Sequence, residues 1–230
     1  MTKENVLFTI IGVLIGLILG FFITNSMNQS TPMAGPSGLQ VASDALPAGH
    51  PVVPGGSGST AEIQAAIDRA KQNPNDLEAQ LRAAELYYQI QRFDGAIEFL
   101  KKANAIQPDN YEVIVNLGNA NFDGGNYAEA EKWYVAALAK KPENHDVRAD
   151  LGLSFIFREK PDYDKAIAEF KNVLEKDPSH VQALQNLTVA YTKKSDAENA
   201  ASALAKLEQI DPANAALGKL REDIAKLKGN

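Results

Sequence analysis

An all-α helical-repeat solenoid, carried behind a transmembrane helix and a disordered linker, is the fold class this sequence predicts. Three observations predict it. An uncharged apolar run lies near the N-terminus. A segment rich in Pro, Gly and Ser follows, without hydrophobic periodicity. From Pro74 onward a proline-centred phrase recurs about every 34 residues. Charge divides along the same lines. Residues 1–59 hold Lys3, Glu4 and Asp44 as their only charged side chains, so five of the six net negative charges lie in residues 60–230. An acidic domain of this kind argues against nucleic-acid binding through a broad basic face. The chain has no cysteine, which excludes disulfides, thiolate zinc sites, c-type haem attachment and thiol nucleophiles.

After a short tail (1–5), Val6–Ile23 contains no charge, and 14 of its 18 residues are Val, Leu, Ile or Phe. As a helix it extends roughly 27 Å at ~1.5 Å per residue, near the ~30 Å hydrocarbon core of a bilayer. The run is longer than the ~7–15 apolar residues of a cleaved signal peptide, and Thr24-Asn25-Ser26 is a poor cleavage signal. Lys3 precedes the span and no Lys or Arg follows before Arg69. The positive-inside rule then keeps the N-terminus cytoplasmic and exports the remainder, to the periplasm of a two-membrane bacterium. The expected location is therefore the inner (cytoplasmic) membrane, single-pass, with the bilayer itself as one partner. Gly12, Gly16 and Gly20 recur every four residues and form one smooth face, suited to close pairing of two such helices in a homo-oligomer.

Residues 24–59 contain five prolines and six glycines and almost no charge. A segment so poor in apolar side chains cannot offset its ordering entropy, and it reads as a disordered linker. Its Pro54–Thr60 stretch lacks the Gly-Lys-Ser/Thr ending of a phosphate-binding loop.

In residues 60–230, prolines at 74, 108, 142, 178 and 212 are separated by 34, 34, 36 and 34 residues. Each ends a helix, and the Asn, Asp, Ser or Glu that follows can cap the next. Between successive prolines lie two amphipathic helices. Their small and large residues recur in phase: Ala84, Leu100 and Ala103; Gly118, Tyr134 and Ala137; Gly152, Phe170 and Val173; Thr188, Leu204 and Leu207. This pattern resembles the tetratricopeptide repeat (TPR) family, with departures at Asn121 and Thr188. The resemblance implies a right-handed superhelical solenoid with repeats at about 77–110, 111–144, 145–180 and 181–214. The extra two residues fall in the turn at 158–163. A cap helix over 60–72 (Ile63, Ala66, Ile67, Ala70) and a closing helix over 213–228 (Leu217, Leu220, Ile224, Leu227) bracket the repeats, since a solenoid needs polar outer faces at its ends.

No constellation of converging acid, base and nucleophile is present, so the expectation is a non-enzymatic protein without cofactor or metal. His50 lies in the linker. His145 and His180 lie in equivalent turns, but two histidines lack the third ligand a metal site needs. The resemblance instead points to a concave groove lined by the first helix of each repeat. Its candidate residues are Glu78, Leu81, Glu85 and Tyr88, then Glu112, Val115, Asn116, Asn119 and Phe122. Asp146, Asp150 and Leu153 follow, with Gln182, Gln185, Asn186 and Val189. Amides offer both donor and acceptor to an extended peptide, and the acids favour a basic or neutral partner. The family's use of lysines and arginine to hold an acidic chaperone C-terminus is excluded, because those positions read Leu81, Glu85, Asp146 and Asp150. The function expected is a membrane-anchored scaffold that binds a protein or peptide, in assembly or maturation of an envelope complex. The alternative is a structural subunit that oligomerises through Gly12, Gly16 and Gly20.

Overall fold

The computed structural model describes residues 60–229; the expected tail, membrane span, linker and glycine face lie outside the described residues. The described residues form ten α-helices and no strand. These are α1 (Thr60–Gln72), α2 (Leu77–Gln89), α3 (Phe93–Ile106), α4 (Tyr111–Asp123), α5 (Tyr127–Lys140), α6 (His145–Phe157), α7 (Tyr163–Lys176), α8 (Val181–Lys193), α9 (Ala197–Ile210) and α10 (Leu217–Lys228). Each helix packs on the next, with the heaviest packing inside the hairpins α2–α3, α4–α5, α6–α7 and α8–α9. Four helical hairpins thus stack between two flanking helices.

The proline phrases end helices as their chemistry requires, and each closes with the same turn. The backbone N–H groups of Asp76, Asn110, Asn144, His180 and Asn214 donate to the carbonyls of Asn73, Gln107, Lys141, Asp177 and Asp211. The first four of these residues then cap the following helix. Asp76 Oδ1 accepts from Ala79 N–H, Asn110 Oδ1 from Val113, and Asn144 Oδ1 from Val147. In the fourth repeat the cap is His180 Nδ1, which accepts from Ala183 N–H at 3.2 Å, while Ser179 turns back onto Asp177. The closing helix begins at Leu217 rather than Ala213. Asn214 Oδ1 accepts the Ala216 N–H, and this local turn delays the helix.

Within each hairpin the N–H that opens the second helix donates back to one carbonyl of the first: Arg92 to Tyr87, Asn126 to Asn121, Asp162 to Phe155 and Asp196 to Tyr191. Three of these turns need a left-handed residue, supplied by Gln91 (φ +57°), Gly125 (φ +77°) and Ser195 (φ +64°). The third turn is two residues longer and has none. Arg158 spans it instead, donating to Lys160 O and to Asp162 Oδ2.

Pairs of small and large side chains set the hairpin spacing. A Cβ on Gly118 would lie 2.5 Å from the Tyr134 ring, and one on Gly152 would lie 2.5 Å from Phe170. Where the second helix carries Leu100 or Leu204, the facing register position holds the larger Ala84 or Thr188. The departure at Thr188 is therefore a volume match, and its hydroxyl is satisfied by Leu184 O at 2.8 Å. Asn121 occupies the place held by Tyr87, Phe155 and Tyr191 elsewhere. It is buried and donates to Leu117 O, and Trp133 on the facing helix packs against both halves of the core. At the N-terminal end Ile67 and Ala70 of α1 are buried, and Gln80 Nε2 donates to the carbonyls of Ala70 and Asn73. At the other end Leu217, Leu220 and Ile224 of α10 close the core.

Candidate protein-binding groove

The first helices of the hairpins, α2, α4, α6 and α8, repeat the same face at steps of 34, 34 and 36 residues. One row along it reads Arg82, Asn116, Asp150 and Asn186; the next reads Glu85, Asn119, Leu153 and Val189. At its N-terminal end this face opens into a cavity of about 650 Å³. The cavity gathers Glu78, Leu81, Glu85, Tyr88, Asn116 and Asn119 of the expected residues. It adds five that the sequence did not nominate: Arg69 from the flanking helix α1, and Leu77, Arg82, Ala84 and Leu100.

The cations here are already engaged. Arg69 pairs with Asp76 at 3.3 Å, and Arg82 bridges Glu85 at 2.7 Å and Glu62 at 3.1 Å. Tyr88 donates its hydroxyl to Asp123 Oδ2. Burial first, then the Asp123 carboxylate, raises the phenol pKa of Tyr88. Tyr134 is buried in the hairpin behind the cavity and donates to Asn119 Oδ1 at 3.0 Å. Asn119 is therefore half committed: its carbonyl oxygen is used, and no hydrogen bond from its amide nitrogen is found among the described residues.

The remaining expected residues lie beyond the cavity. Glu112 is exposed, and Gln182 and Val189 are half-buried; Val115, Leu153 and Gln185 are buried at the edge of the core. Phe122 is held in an aromatic cluster, with its ring edge-on to Tyr127 and to Phe157, so it packs repeats together. Asp146 Oδ1 lies 3.2 Å from His180 Nε2, and the other ring nitrogen of His180 caps α8. Both nitrogens of that histidine are occupied by the fold. Among the described residues no group of three His, Asp or Glu is placed to hold a metal ion.

Asp150 and Asn186 are the residues whose state the sequence hid. Asp150 is 6% exposed, and burial raises its carboxyl pKa well above the ordinary value, reinforced by the charges of Asp146 and Asp123. Asn186 is 3% exposed, and its Nδ2 has no hydrogen-bond partner among the described residues. Spacing alone placed both on the groove face. Only the packing of neighbouring hairpins shows that both are more than nine-tenths buried.

Stacked helical hairpins, small-on-large packing inside each hairpin and a lined inner face define an α-solenoid of the repeat-scaffold class. The tetratricopeptide repeat profile matches residues 91–151 and 158–224, and a second profile of the same description matches 60–111. The chain belongs to the tetratricopeptide repeat family. It is 32% identical over 111 residues to the TPR repeat-containing thioredoxin TTL4 of Arabidopsis thaliana, covering 48% of this chain and 16% of that protein. It is 23% identical over 153 residues to the BBSome complex member BBS4 homolog of Drosophila melanogaster, covering 66% and 31%. The chain thus spans under a third of the length of either relative. Among solved structures, the MamA protein superposes with a TM-score of 0.58 at 26% identity, covering 66% of this chain and 81% of that one. PilW, described as a type IV pilus biogenesis factor, superposes with a TM-score of 0.62 at 24% identity, covering 74% and 80%. This last likeness concerns the fold.

Proposed function

We propose that this protein is a membrane-anchored scaffold whose TPR domain holds a protein or peptide segment on the inner face of α2, α4, α6 and α8. The observation that carries the reading is the cavity at Leu77, Leu81 and Tyr88, rimmed by Asn116, Asn119 and two acids. Apolar walls with a few convergent polar groups suit side-chain insertion, and amides suit backbone capture. The anchor is the uncharged run 6–23, and Lys3 before it favours export of the domain across the inner membrane. A role in assembling or maturing an envelope complex accords with that placement. Fold alone does not assign a partner.

Two experiments test the reading. Protease added after opening only the outer membrane should digest the TPR domain; protection until lysis would reverse the topology. The double variant Asn116→Ala/Asn119→Ala should weaken partner capture while leaving the helical circular dichroism unchanged, and undiminished capture would remove the groove from the proposal. A second reading rests on the glycines every four residues at Gly12, Gly16 and Gly20, which suit a homo-oligomer of anchors. Gly16→Ile should dissociate such an assembly in detergent.

A further inference from the structure

We infer that the middle of the groove takes a cationic side chain, a lysine or arginine carried by the bound segment, with the Asp150 carboxylate as its counter-ion. This rests on the groove reading above. Asp150 sits on α6 in the same row as Asn116 and is more than nine-tenths buried; no hydrogen bond or ion pair to its carboxylate is found among the described residues, and its oxygens are not among the fully enclosed polar atoms. The nearby Ser154 hydroxyl bonds to the backbone carbonyl of Asp150, not to its side chain. The arginines on neighbouring elements are committed elsewhere: Arg82 to Glu85 and Glu62, Arg148 to Glu169, Arg158 to Glu131 and Asp162. The acids closest in effect, Asp146 and Asp123, add negative potential. Asp123 holds the Tyr88 hydroxyl, and Tyr88 lines the cavity, so the field of these acids extends to the open part of the groove.

A buried carboxylate without a partner is unfavourable by itself, because burial removes its hydration and nothing replaces it. A second group points the same way. One row position further, the Asn186 Nδ2 donor is also buried and unpartnered, although a donor in a folded interior ordinarily finds an acceptor. An extended peptide satisfies both at once. Its ammonium or guanidinium faces Asp150, and a backbone carbonyl nearby accepts from Asn186 once the enclosed amide turns toward the groove. No three carboxylates or imidazoles among the described residues converge for a metal ion, which leaves an organic cation as the matching chemistry. Selectivity follows, since a segment with Glu at that point would set a third like charge beside Asp146 and Asp150.

The test uses the full chain in mild detergent and four pools of fluorescent peptides, each about twelve residues long. Flanking positions are drawn from Ala, Leu, Asn and Gly, and the central residue is fixed as Lys, Arg, norleucine or Glu. Fluorescence anisotropy should show the Lys and Arg pools binding at least about tenfold tighter than norleucine, with Glu weakest. Asp150→Asn should bring the Lys and norleucine pools within about twofold of each other. Retention of the preference in that variant, or no preference in the natural chain, overturns the inference. Asn116→Ala/Asn119→Ala separates the two levels. If it weakens every pool alike while the natural chain shows no preference, the groove stands and the cation site falls. If no pool binds, or the double variant changes nothing, both fall. Removal of a buried charge should not unfold the domain, and unchanged circular dichroism of Asp150→Asn verifies that.

Discussion

Replacing Gly118 by alanine adds one methyl group to α4, and the structure specifies where it goes. The new Cβ would stand 2.5, 2.6 and 3.2 Å from three atoms of the Tyr134 ring. Ordinary contact begins near 3.4 Å. The ring cannot swing aside freely, because Tyr134 is 1% exposed and its hydroxyl is tied to Asn119 at 3.0 Å. Overpacking of a tight core costs about 1–3 kcal/mol, and the better helix propensity of alanine returns up to ~1 kcal/mol. The expected net loss is roughly 1–2 kcal/mol, or about 2–8 °C in Tm for a domain of this size. Two comparisons isolate the cause. Gly218→Ala in α10 is the same chemical change with nothing within 4 Å of the new methyl, so it should stabilise slightly. Tyr134→Leu recreates the leucine that the first and fourth repeats carry at this position (Leu100 and Leu204). In that background Gly118→Ala should become neutral or stabilising, giving a coupling of about 1–3 kcal/mol in a double-mutant cycle. Thermal and urea melts followed by circular dichroism supply the four stabilities. An equal loss from Gly118→Ala in both backgrounds would refute the small-on-large account of hairpin spacing.

Other predictions follow the same structure. Gly125→Ala meets no atom within 4 Å, yet its φ of +77° is unfavourable for an L side chain, so a loss of about 1–2 kcal/mol in a urea melt should arise from the backbone alone. Asn144→Ala removes the side-chain cap of α6 at Val147 and should destabilise by about 1 kcal/mol, whereas Asn126→Ala, where no side-chain cap bond exists, should cost less. Asp150 has a folded-state pKa above its unfolded value, so its favourable contribution is complete only at acid pH and is lost as pH rises through the raised value. Asp150→Asn should therefore melt higher than the natural chain at pH 8, with the gap shrinking toward pH 4; a gap constant across that range would show that the buried charge is not the cause.

The helical hairpins were legible in the sequence because each proline phrase carries its mechanism locally. Pro108 ends a helix and Asn110 starts the next, without help from distant residues. Local signals mislead where two groups compete for one role. His180 caps α8 although Ser179 looks the better acceptor, since Ser179 is taken by Asp177. The groove was legible as a face and not as a set of states. Periodicity placed Asn119, Phe122 and Asp150 together. Whether an amide is spent on Tyr134, a ring is set edge-on to Phe157 or a carboxylate is buried depends on the packing around it, and the row pattern does not encode it. Arg69 and Tyr134 were missed for the same reason, because they reach the site from α1 and from the back of a hairpin.

The hold of α2 on α1 has a mechanical meaning. Chain 1–59 joins the domain at Thr60, so any load on the N-terminal segment enters through α1. That helix is fastened near its C-terminal end by Ile67, Ala70 and the two bonds from Gln80, while its first turn is held by a half-buried Ile63 and by the exposed, hence weak, ion pair of Glu62 with Arg82. A pull would lift the loosely held end first and reach the Gln80 latch last, so α1 yields by peeling. Arg69 lies beside that latch and also lines the cavity. A load strong enough to open the latch would therefore dismantle one wall of the groove while the hairpins behind it remain folded.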